Sequence, residues 1–325
     1  MIDLIGKKYY FFALSIAILL AGLVGYFMNG LNLDIQFEGG TVIQIEMPND
    51  SYDTAKAEKV VTDTIGKSAI VQKLQTYNAE KAGAKIYLMD LKIAGQDITQ
   101  DERTKVLTAL KSSFGLKPDV NVTVNSIAPF IGNEIKTKAL YAVFWASLVI
   151  ILYVWWRFKV MSGLSAGVMA IVAMLHDILI MASVYIIFRI PVNDLFVAAA
   201  LTVIGYSMND TIIIYDRIRE NSNLLRKTPI GELVNRSIVQ TLNRSINTVV
   251  TVLICIATVF VLASLNSIQS IRDFAFPLMI GITSGCYSSI FIASSLYVVW
   301  KEGQIKNKKS PTRPPTKPSP KTSKA

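Results

Sequence analysis

The chain has 325 residues, 52% of them hydrophobic, and a mean hydropathy of +0.42. This composition is too apolar for an ordinary soluble domain and predicts several membrane spans. The formal net charge is +10, but residues 301–325 hold eight Lys or Arg and one Glu, which is +7, so the rest of the chain carries +3. This near balance argues against specific nucleic-acid binding.

Six apolar segments are long enough to cross the roughly 30 Å hydrocarbon core of a bilayer. They cover residues 9–28, 139–156, 161–188, 192–215, 246–265 and 274–300. The first resembles a signal peptide, but no convincing cleavage site follows it, so we predict a retained anchor. Lys and Arg cluster before the first segment and after the second, fourth and sixth. This pattern predicts a protein of the cell inner membrane with both termini cytoplasmic.

The insert between the first two spans has an ordinary soluble composition and is predicted to lie outside the cytoplasm. Residue patterns predict strands at 41–46, 69–74, 85–89 and 121–127, helices at 51–65 and 100–114, and a turn at 76–84. Thr99 and Glu102 form a capping-box pattern at the start of the second helix. The order β-α-β-β-α-β is the ferredoxin-like pattern, and another small α+β domain is the alternative.

The predicted fold is therefore a polytopic α-helical membrane protein with six transmembrane helices and an external α+β domain between helices 1 and 2. We divide the chain into the N-terminus and first helix (1–28), the external domain (29–138), a five-helix transmembrane domain (139–300) and a cytoplasmic tail (301–325). The tail is rich in Pro, Lys, Ser and Thr and is predicted to be disordered. It either lies near anionic lipid or ribosomal RNA, or does little beyond enforcing topology.

The fourth span carries Asn209 and Asp210 inside its apolar run. A carboxylate within a bilayer costs a few kcal/mol, so it is a functional-site hypothesis by default. We predict that Asp210 exchanges protons or responds to another ion, and a carboxylate that merely holds helices together is the alternative. Asp216 is predicted to form an interfacial ion pair beside Arg217. Small or polar residues also recur at helical spacing on one face, which predicts a close helix contact: Ala198, Thr202, Gly205, Asn209 and Asp216.

Two other spans carry polar groups. His176 and Asp177 lie near the middle of the third span, where a proton-carrying histidine and a hydrogen-bonded packing residue are equally open, and the two neighbours need not act as a pair. On the fifth span, we predict that Arg244 approaches Asp210 from a similar depth, and a snorkelling topology residue is the alternative. The face around this arginine is mostly polar: Ser237, Thr241, Arg244 or Ser245, Thr248, Thr251 and Cys255.

Several kinds of chemistry have no pattern in the sequence. There is no Gly-rich phosphate loop, and a lone His argues against a multi-His metal site. Cys255 and Cys286 both fall in apolar runs and are interpreted as small core residues. We therefore predict that the chain is not an enzyme and uses neither metal nor cofactor, so any work draws on an ion gradient or a partner ATPase.

Several motifs resemble the SecD/SecF family of bacterial protein-export membrane proteins, in the resistance–nodulation–division superfamily. The most specific lies on the fourth span, with Gly-Tyr-Ser-Met-Asn-Asp-Thr at 205–211 and Asp-Arg-Ile-Arg-Glu-Asn at 216–221. His-Asp at 176–177, Gln-Thr-Leu-Asn-Arg at 240–244 and Phe-Glu-Gly-Gly-Thr at 37–41 resemble further motifs. The resemblance extends from about residue 31 to residue 297.

The resemblance implies an external ferredoxin-like domain whose motif includes Phe37, Gly39 and Gly40. It implies a homologous SecD-like partner. It also implies that the chain acts on a translocating preprotein, beside the Sec channel and its motor ATPase. Proton flow through the membrane part is then expected to move the external domains. The family's key carboxylate falls on Asp210, and its fifth-span arginine falls on Arg244.

The chain departs from the family pattern at a few positions. Asp34 and Gln36 stand where Gly and Asp are usual, and Ser245 stands where Thr is common. Two other functions stay open: a half-transporter for a small molecule or lipid, and a passive scaffold. The single short insert argues against the first.

Overall fold

The computed structural model describes residues 2–49, 51–67, 69–77, 85–94, 98–127, 129–157, 163–266 and 268–309. Its elements are α1 (Lys8–Asn29), α2 (Ile35–Glu38), β1 (Gly40–Met47), α3 (Thr54–Ile65), β2 (Ala69–Tyr77), β3 (Lys85–Ala94), α4 (Gln100–Phe114), β4 (Val122–Ile127), α5 (Pro129–Arg157), α6 (Gly163–Ile187), α7 (Asp194–Leu224), α8 (Ile230–Leu265), α9 (Gln269–Tyr287), a π-helical segment (Ser288–Ala293) and α10 (Ser294–Lys309).

Six helical stretches among the described residues are long and apolar enough to span a membrane, which confirms the predicted multi-pass architecture. The last is continuous through α9, the π-helical segment and the start of α10. Helices α7 and α8 extend well past their apolar segments at the end opposite the sheet, where hydrogen bonds join them to each other. Asn221 Nδ2 of α7 donates to Ser237 Oγ of α8 over 2.8 Å, and Arg217 Nε donates to Gln240 Oε1 over 2.7 Å.

The insert folds into one four-stranded sheet with the strand order β2-β3-β1-β4, and every neighbouring pair is antiparallel. The predicted β-α-β-β-α-β order is confirmed, although residues 78–84 of the predicted turn lie outside the described residues. Thr99 caps α4 as predicted, since its side chain accepts from the backbone N–H of Glu102, whose carboxylate accepts from the N–H of Thr99. Helices α3 and α4 cover one face of the sheet, around an apolar core that includes Ile43, Leu91 and Val106.

The other face of the sheet lies against the helical domain. Lys92 of β3 forms a 2.8 Å ion pair with the buried Asp34, which caps α2. Next to it, the chain at Leu33 forms a parallel bridge with Val192, and the N–H of Asp34 donates to the Val192 carbonyl over 2.9 Å. Because Val192 lies between α6 and α7, backbone hydrogen bonds join the base of the sheet directly to the helices.

The predicted external-domain motif forms the turn between these two parts. Phe37 is buried among Tyr185, Phe196 and other side chains of the helical domain. Gly39 and Gly40 follow with φ of 79° and 145°, a region that favours glycine because it lacks a Cβ. The motif therefore anchors one side chain between the helices and turns the chain sharply into β1.

The prediction that residues 301–325 are disordered is wrong for the first part of this segment. Helix α10 continues to Lys309. The first proline after Trp300 is Pro311, so no residue before it interrupts the backbone hydrogen bonding of the helix. Residues 310–325 lie outside the described residues.

Candidate functional site

Asp210 lies midway along α7 and points into the helical domain. Its side chain is 0% exposed, and both carboxylate oxygens are buried without a hydrogen-bond partner among the described residues. A buried polar atom without a partner is rare in folded proteins and calls for an explanation, such as a bound water or a catalytic role. This carboxylate is therefore the most unusual polar group of the described helices.

Arg244 lies on α8 within electrostatic range of Asp210, as the sequence predicts. Its side chain is exposed on the outer surface of α8. Among the ion pairs of the described residues, none joins Arg244 to Asp210 within 4.0 Å. The arginine therefore lies near the carboxylate without a direct hydrogen bond to it.

Three further polar groups lie on α7, α8 and α9. The Tyr206 hydroxyl, one turn away on α7, and the Ser245 hydroxyl of α8 are both buried without a hydrogen-bond partner among the described residues. Cys286 of α9 lies close enough to interact electrostatically with Asp210. From sequence, Cys286 was interpreted as a core residue and Ser245 had no separate role, because one-dimensional spacing does not reveal which side chains converge across three helices.

His176 and Asp177 form a second cluster on α6. Asp177 is 1% exposed and accepts hydrogen bonds from Ser207 Oγ of α7 (2.7 Å), Ser284 Oγ of α9 (2.7 Å) and Ser288 Oγ of the π-helical segment (2.8 Å). His176 Nδ1 lies 3.2 Å from Asp177 Oδ1, so the two neighbours do contact each other. Its Nε2 lies 3.0 Å from Ser15 Oγ of α1.

This second cluster joins α6 to four other helical elements through one carboxylate and one imidazole. The sequence pattern indicated the histidine and the aspartate, but the serines were missed. The spacing of Ser284 and Ser288, four residues apart in the sixth span, places both on one helix face and was a usable signal.

The predicted small and polar face of the fourth span lies on the outside of the described helices. Asn209 is exposed, as are the three residues that continue its face toward the sheet: Ala198, Thr202 and Gly205. Asp216 ends this face in an ion pair, as predicted, but its partners are Arg157 (3.2 Å) and Arg219 (2.7 Å) rather than Arg217. Adjacent helix residues point in different directions, and Arg217 binds Glu220 and Gln240 instead.

The structure thus separates the predicted site residues into four places. Asp210 and Arg244 are neighbours, while Asn209 faces outward beside them. His176 and Asp177 form their own cluster. The remaining residues lie at opposite ends of the helical domain: Asp216 at the end away from the sheet, and Phe37, Gly39 and Gly40 at the base of the sheet.

Comparison with known proteins agrees with this architecture. The family profile described as "Protein export membrane protein SecD/SecF, C-terminal" matches residues 106–303. The protein translocase subunit SecF of Anaerolinea thermophila is 35% identical over 312 residues, which cover 94% of this chain and 96% of that one. The protein translocase subunit SecDF of Thermus thermophilus is 37% identical over 289 residues, which cover 89% of this chain and 37% of that one.

A solved structure extends the likeness to three dimensions. The crystal structure of the Thermus SecDF, a translocon-associated membrane protein, matches with a TM-score of 0.74 and 32% sequence identity. The match covers 93% of this chain and 39% of the longer one. The profile covers residues 106–303, the relatives and the solved structure match 89–94% of the chain, and the chain belongs to the SecD/SecF family of protein export membrane proteins.

Proposed function

We propose that this chain is a membrane subunit of protein translocation that couples the proton motive force to the movement of preproteins across the inner membrane. The names of its relatives, protein translocase subunits SecF and SecDF, support the role in translocation. The buried, unpartnered carboxylate of Asp210 is the single observation that carries the coupling. In this proposal the chain is an accessory subunit that catalyses no reaction of its own.

The mechanism follows from the charge on Asp210. In the ionised form the carboxylate lacks hydrogen bonds from the described residues, so only the attraction of Arg244 offsets its burial. Protonation removes the buried charge and, with it, this attraction. The contact between α7 and α8 is then weakened near Asp210, and the packing of the two helices shifts.

A homologous SecD-like subunit is the proposed partner. The outward face of α7 carries small and polar residues around Asn209, and Arg244 is exposed beside it on α8. Small residues let a second set of helices approach closely, and the polar ones can hydrogen-bond across the contact. The longer SecDF chains, of which this chain matches about two-fifths, are consistent with a second half that covers this face.

The four-stranded domain is proposed to be the external, ferredoxin-like moving part, between an N-terminal segment (1–28) and the five-helix domain (139–300). It acts on the preprotein emerging from the Sec channel, whose motor ATPase works from the cytoplasm. In this orientation both termini are cytoplasmic. The basic segment at 301–325 then lies beside the anionic inner leaflet, where each Lys or Arg contributes about 1 kcal/mol of attraction.

The decisive experiment compares two neutralised carboxylates on the same helix. We expect Asp210→Asn to abolish the stimulation of translocation by a proton gradient while ATP-driven translocation continues, in vesicles that hold this chain, its partner, the Sec channel and the motor ATPase. Asp216→Asn, six residues further on in an exposed ion pair, serves as the matched control and is expected to retain most of the stimulation.

Two results would contradict the proposal. Full gradient stimulation in Asp210→Asn would leave the chain as a passive scaffold. Movement of a lipid or dye by the chain and its partner, without any effect on preproteins, would favour the half-transporter.

A further inference from the structure

One hydroxyl on α8 differs from all the others on that helix. Six Ser or Thr side chains of α8 donate a hydrogen bond to a backbone carbonyl three or four residues earlier: Ser237, Thr241, Thr248, Thr251, Thr258 and Ser264. This bond is the usual way for a hydroxyl to be satisfied inside an apolar helix. Ser245 is 1% exposed, yet its hydroxyl has no hydrogen-bond partner among the described residues.

The register between α7 and α8 places Ser245 near Asp210. The two helices are antiparallel, and Asn221 is hydrogen-bonded to Ser237. Eight residues forward from Ser237 is Ser245, and eight residues back from Asn221 is Ile213, in the helical turn that begins at Asp210. Ser237 and Ser245 are both buried, and residues eight apart lie on one broad helix face, so we expect the Ser245 hydroxyl to point toward that turn.

Four unpartnered polar atoms therefore lie in one region: both oxygens of Asp210 and the hydroxyls of Tyr206 and Ser245. A buried water typically makes about three hydrogen bonds to polar groups that are otherwise unsatisfied. Two hydroxyls, which donate or accept, and a carboxylate, which accepts, supply suitable partners for such a water.

We propose that Ser245 and Tyr206 are positioning residues that hold a water molecule against the Asp210 carboxylate, and that protons reach and leave Asp210 through this water. The inference rests on the proposed function. A proton delivered to the bound water passes to the carboxylate, which becomes the neutral acid, and the water is left as before. The return step transfers the same proton back to the water.

The other ionisable groups around the site set its electrostatics. Arg244 faces Asp210 from α8 and Cys286 faces it from α9. From α6, Asp177 lies beyond Ser207, to which it is hydrogen-bonded. None of these groups supplies a neutral hydroxyl donor directly to Asp210, so Ser245 and Tyr206 are the hydroxyls available to orient a water there.

The test substitutes Ser245 and measures both the rate of translocation and the infrared band of the Asp210 carboxyl group. We expect Ser245→Ala to lower the gradient-stimulated translocation rate about tenfold, as the loss of roughly one hydrogen bond at the proton-transfer step implies, while Ser245→Thr restores it. In the infrared difference spectrum, the carboxyl stretching band of Asp210 is assigned as the band that is absent in Asp210→Asn. We expect this band to shift in Ser245→Ala. A purely structural role would not move this band.

Thr241→Val is the matched control, because Thr241 lies one turn away on the same buried face and its hydroxyl is bonded to backbone. If Ser245→Ala does not assemble, Tyr206→Phe keeps the ring and removes the second hydroxyl from the same water. A band and a rate equal to those of Thr241→Val would overturn the inference. If that happens while Asp210→Asn still abolishes stimulation, the proposed function stands. If Asp210→Asn has no effect, the proposed function fails, and the band shift alone still decides the hydration site.

Discussion

Two carboxylates buried in the same helical domain have opposite hydrogen-bonding environments. Asp177 accepts from three serine hydroxyls and contacts His176, whereas Asp210 accepts from no described residue. A fully hydrogen-bonded carboxylate is stabilised in its ionised form, and changing its charge would disrupt the hydrogen bonds that it accepts. An unpartnered carboxylate is free to change its charge without that cost, which is why we assign proton exchange to Asp210 and helix fastening to Asp177.

Asp177→Ala tests the fastening role. Hydrogen bonds between membrane helices contribute about 0.6 kcal/mol each on average, so the loss of four contacts is expected to lower stability by about 2 kcal/mol. Thermal unfolding of the purified chain in detergent measures the effect. Asp210→Asn is the control and is expected to unfold at nearly the parental temperature. An unchanged melting temperature for Asp177→Ala would contradict the role.

Asp90 of β3 provides a pH-dependent prediction outside the membrane. Burial raises the pKa of this carboxyl above its usual value, despite the hydrogen bond from Gln44 and the attraction of Lys92. Since the folded-state pKa is the higher one, the contribution of Asp90 to the stability of the sheet domain is fully present below the unfolded-state pKa near 4 and is lost as pH rises through the folded-state pKa.

Asp90→Asn should remove this fall, because the amide is neutral at every pH and its oxygen still accepts from Gln44. Urea equilibration at each pH, followed by a short proteolysis at one common pH, reports the fraction of unfolded domain. We expect the variant to be more stable than the parent at neutral pH and similar to it below pH 4. The same pH profile in both proteins would show that Asp90 does not cause it.

The sequence reveals the charged residues of the helices but not their environments. An aspartate or arginine inside an apolar run is visible in one dimension, so Asp210, Asp177 and Arg244 are recognisable from their positions in the chain. Whether each acid finds donors depends on serines contributed by other helices and on the rotation of each helix. The Ser284 and Ser288 pair was recognisable from its spacing, but its partner on α6 was not.

At the scale of elements, close packing between α7 and α9 fixes the interior of the helical domain. A Cβ built at Gly281 would overlap Val203 Cγ2 and lie 2.7 Å from Met181 Sδ, and one at Gly285 would lie 2.9 Å from Ser207 Cβ. Glycine at these positions brings Ser284 and Ser288 within hydrogen-bonding distance of Asp177. The serine cluster therefore depends on Gly281 and Gly285, which have no side chain and act only by letting the helices pack closely.

Gly281→Ala is expected to destabilise the chain by about 1–3 kcal/mol, because the added methyl group must displace Val203 or Met181 from a packed interior. Gly205→Ala is the matched control on an exposed helix face, where nothing lies within 4 Å of the added Cβ. It should be neutral or stabilising in the isolated chain, since alanine favours a helix more than glycine does. Equal unfolding temperatures for the two variants would contradict this account of the contact.

Secondary structure was predicted well where hydrophobic period and capping agree. The capping box at Thr99 and the alternation in β1 are local signals, and both predicted elements are confirmed. The ends of α7, α8 and α10 were not predicted, because hydropathy reports where a helix leaves the apolar layer and not where its backbone hydrogen bonds stop. The π-helical segment between α9 and α10 has no signal in the composition of its residues.

At the scale of the whole molecule, the sheet domain is held to the helices by a small contact. Lys92 and Asp34 form its ion pair, backbone hydrogen bonds join Asp34 to Val192, and Phe37 is inserted between helices. Asp34 and Phe37 lie between the end of α1 and the start of β1, so the contact lies at the base of the domain. If the domain moves during translocation, this contact is the first that must change.

A disulfide across the contact tests that requirement. Leu33→Cys with Val192→Cys places the cysteines on paired backbone positions, where Cα atoms about 5 Å apart suit a disulfide. With Cys255→Ala and Cys286→Ala in the background, oxidation is expected to reduce gradient-stimulated translocation below about a tenth of the reduced protein's value. Reductant should restore it, and ATP-driven translocation should not change.

The control places a disulfide within the sheet, at Thr41→Cys and Ser126→Cys, where the two native hydroxyls lie 3.1 Å apart on β1 and β4. It adds the same covalent bond without joining the domain to the helices, so the oxidised control should keep its gradient response. Full activity of the oxidised Leu33–Val192 variant would show that the base of the domain stays docked during the cycle. Proton exchange at Asp210 would then have to reach the sheet domain by a route that leaves this contact closed, such as the connection from β4 to α5.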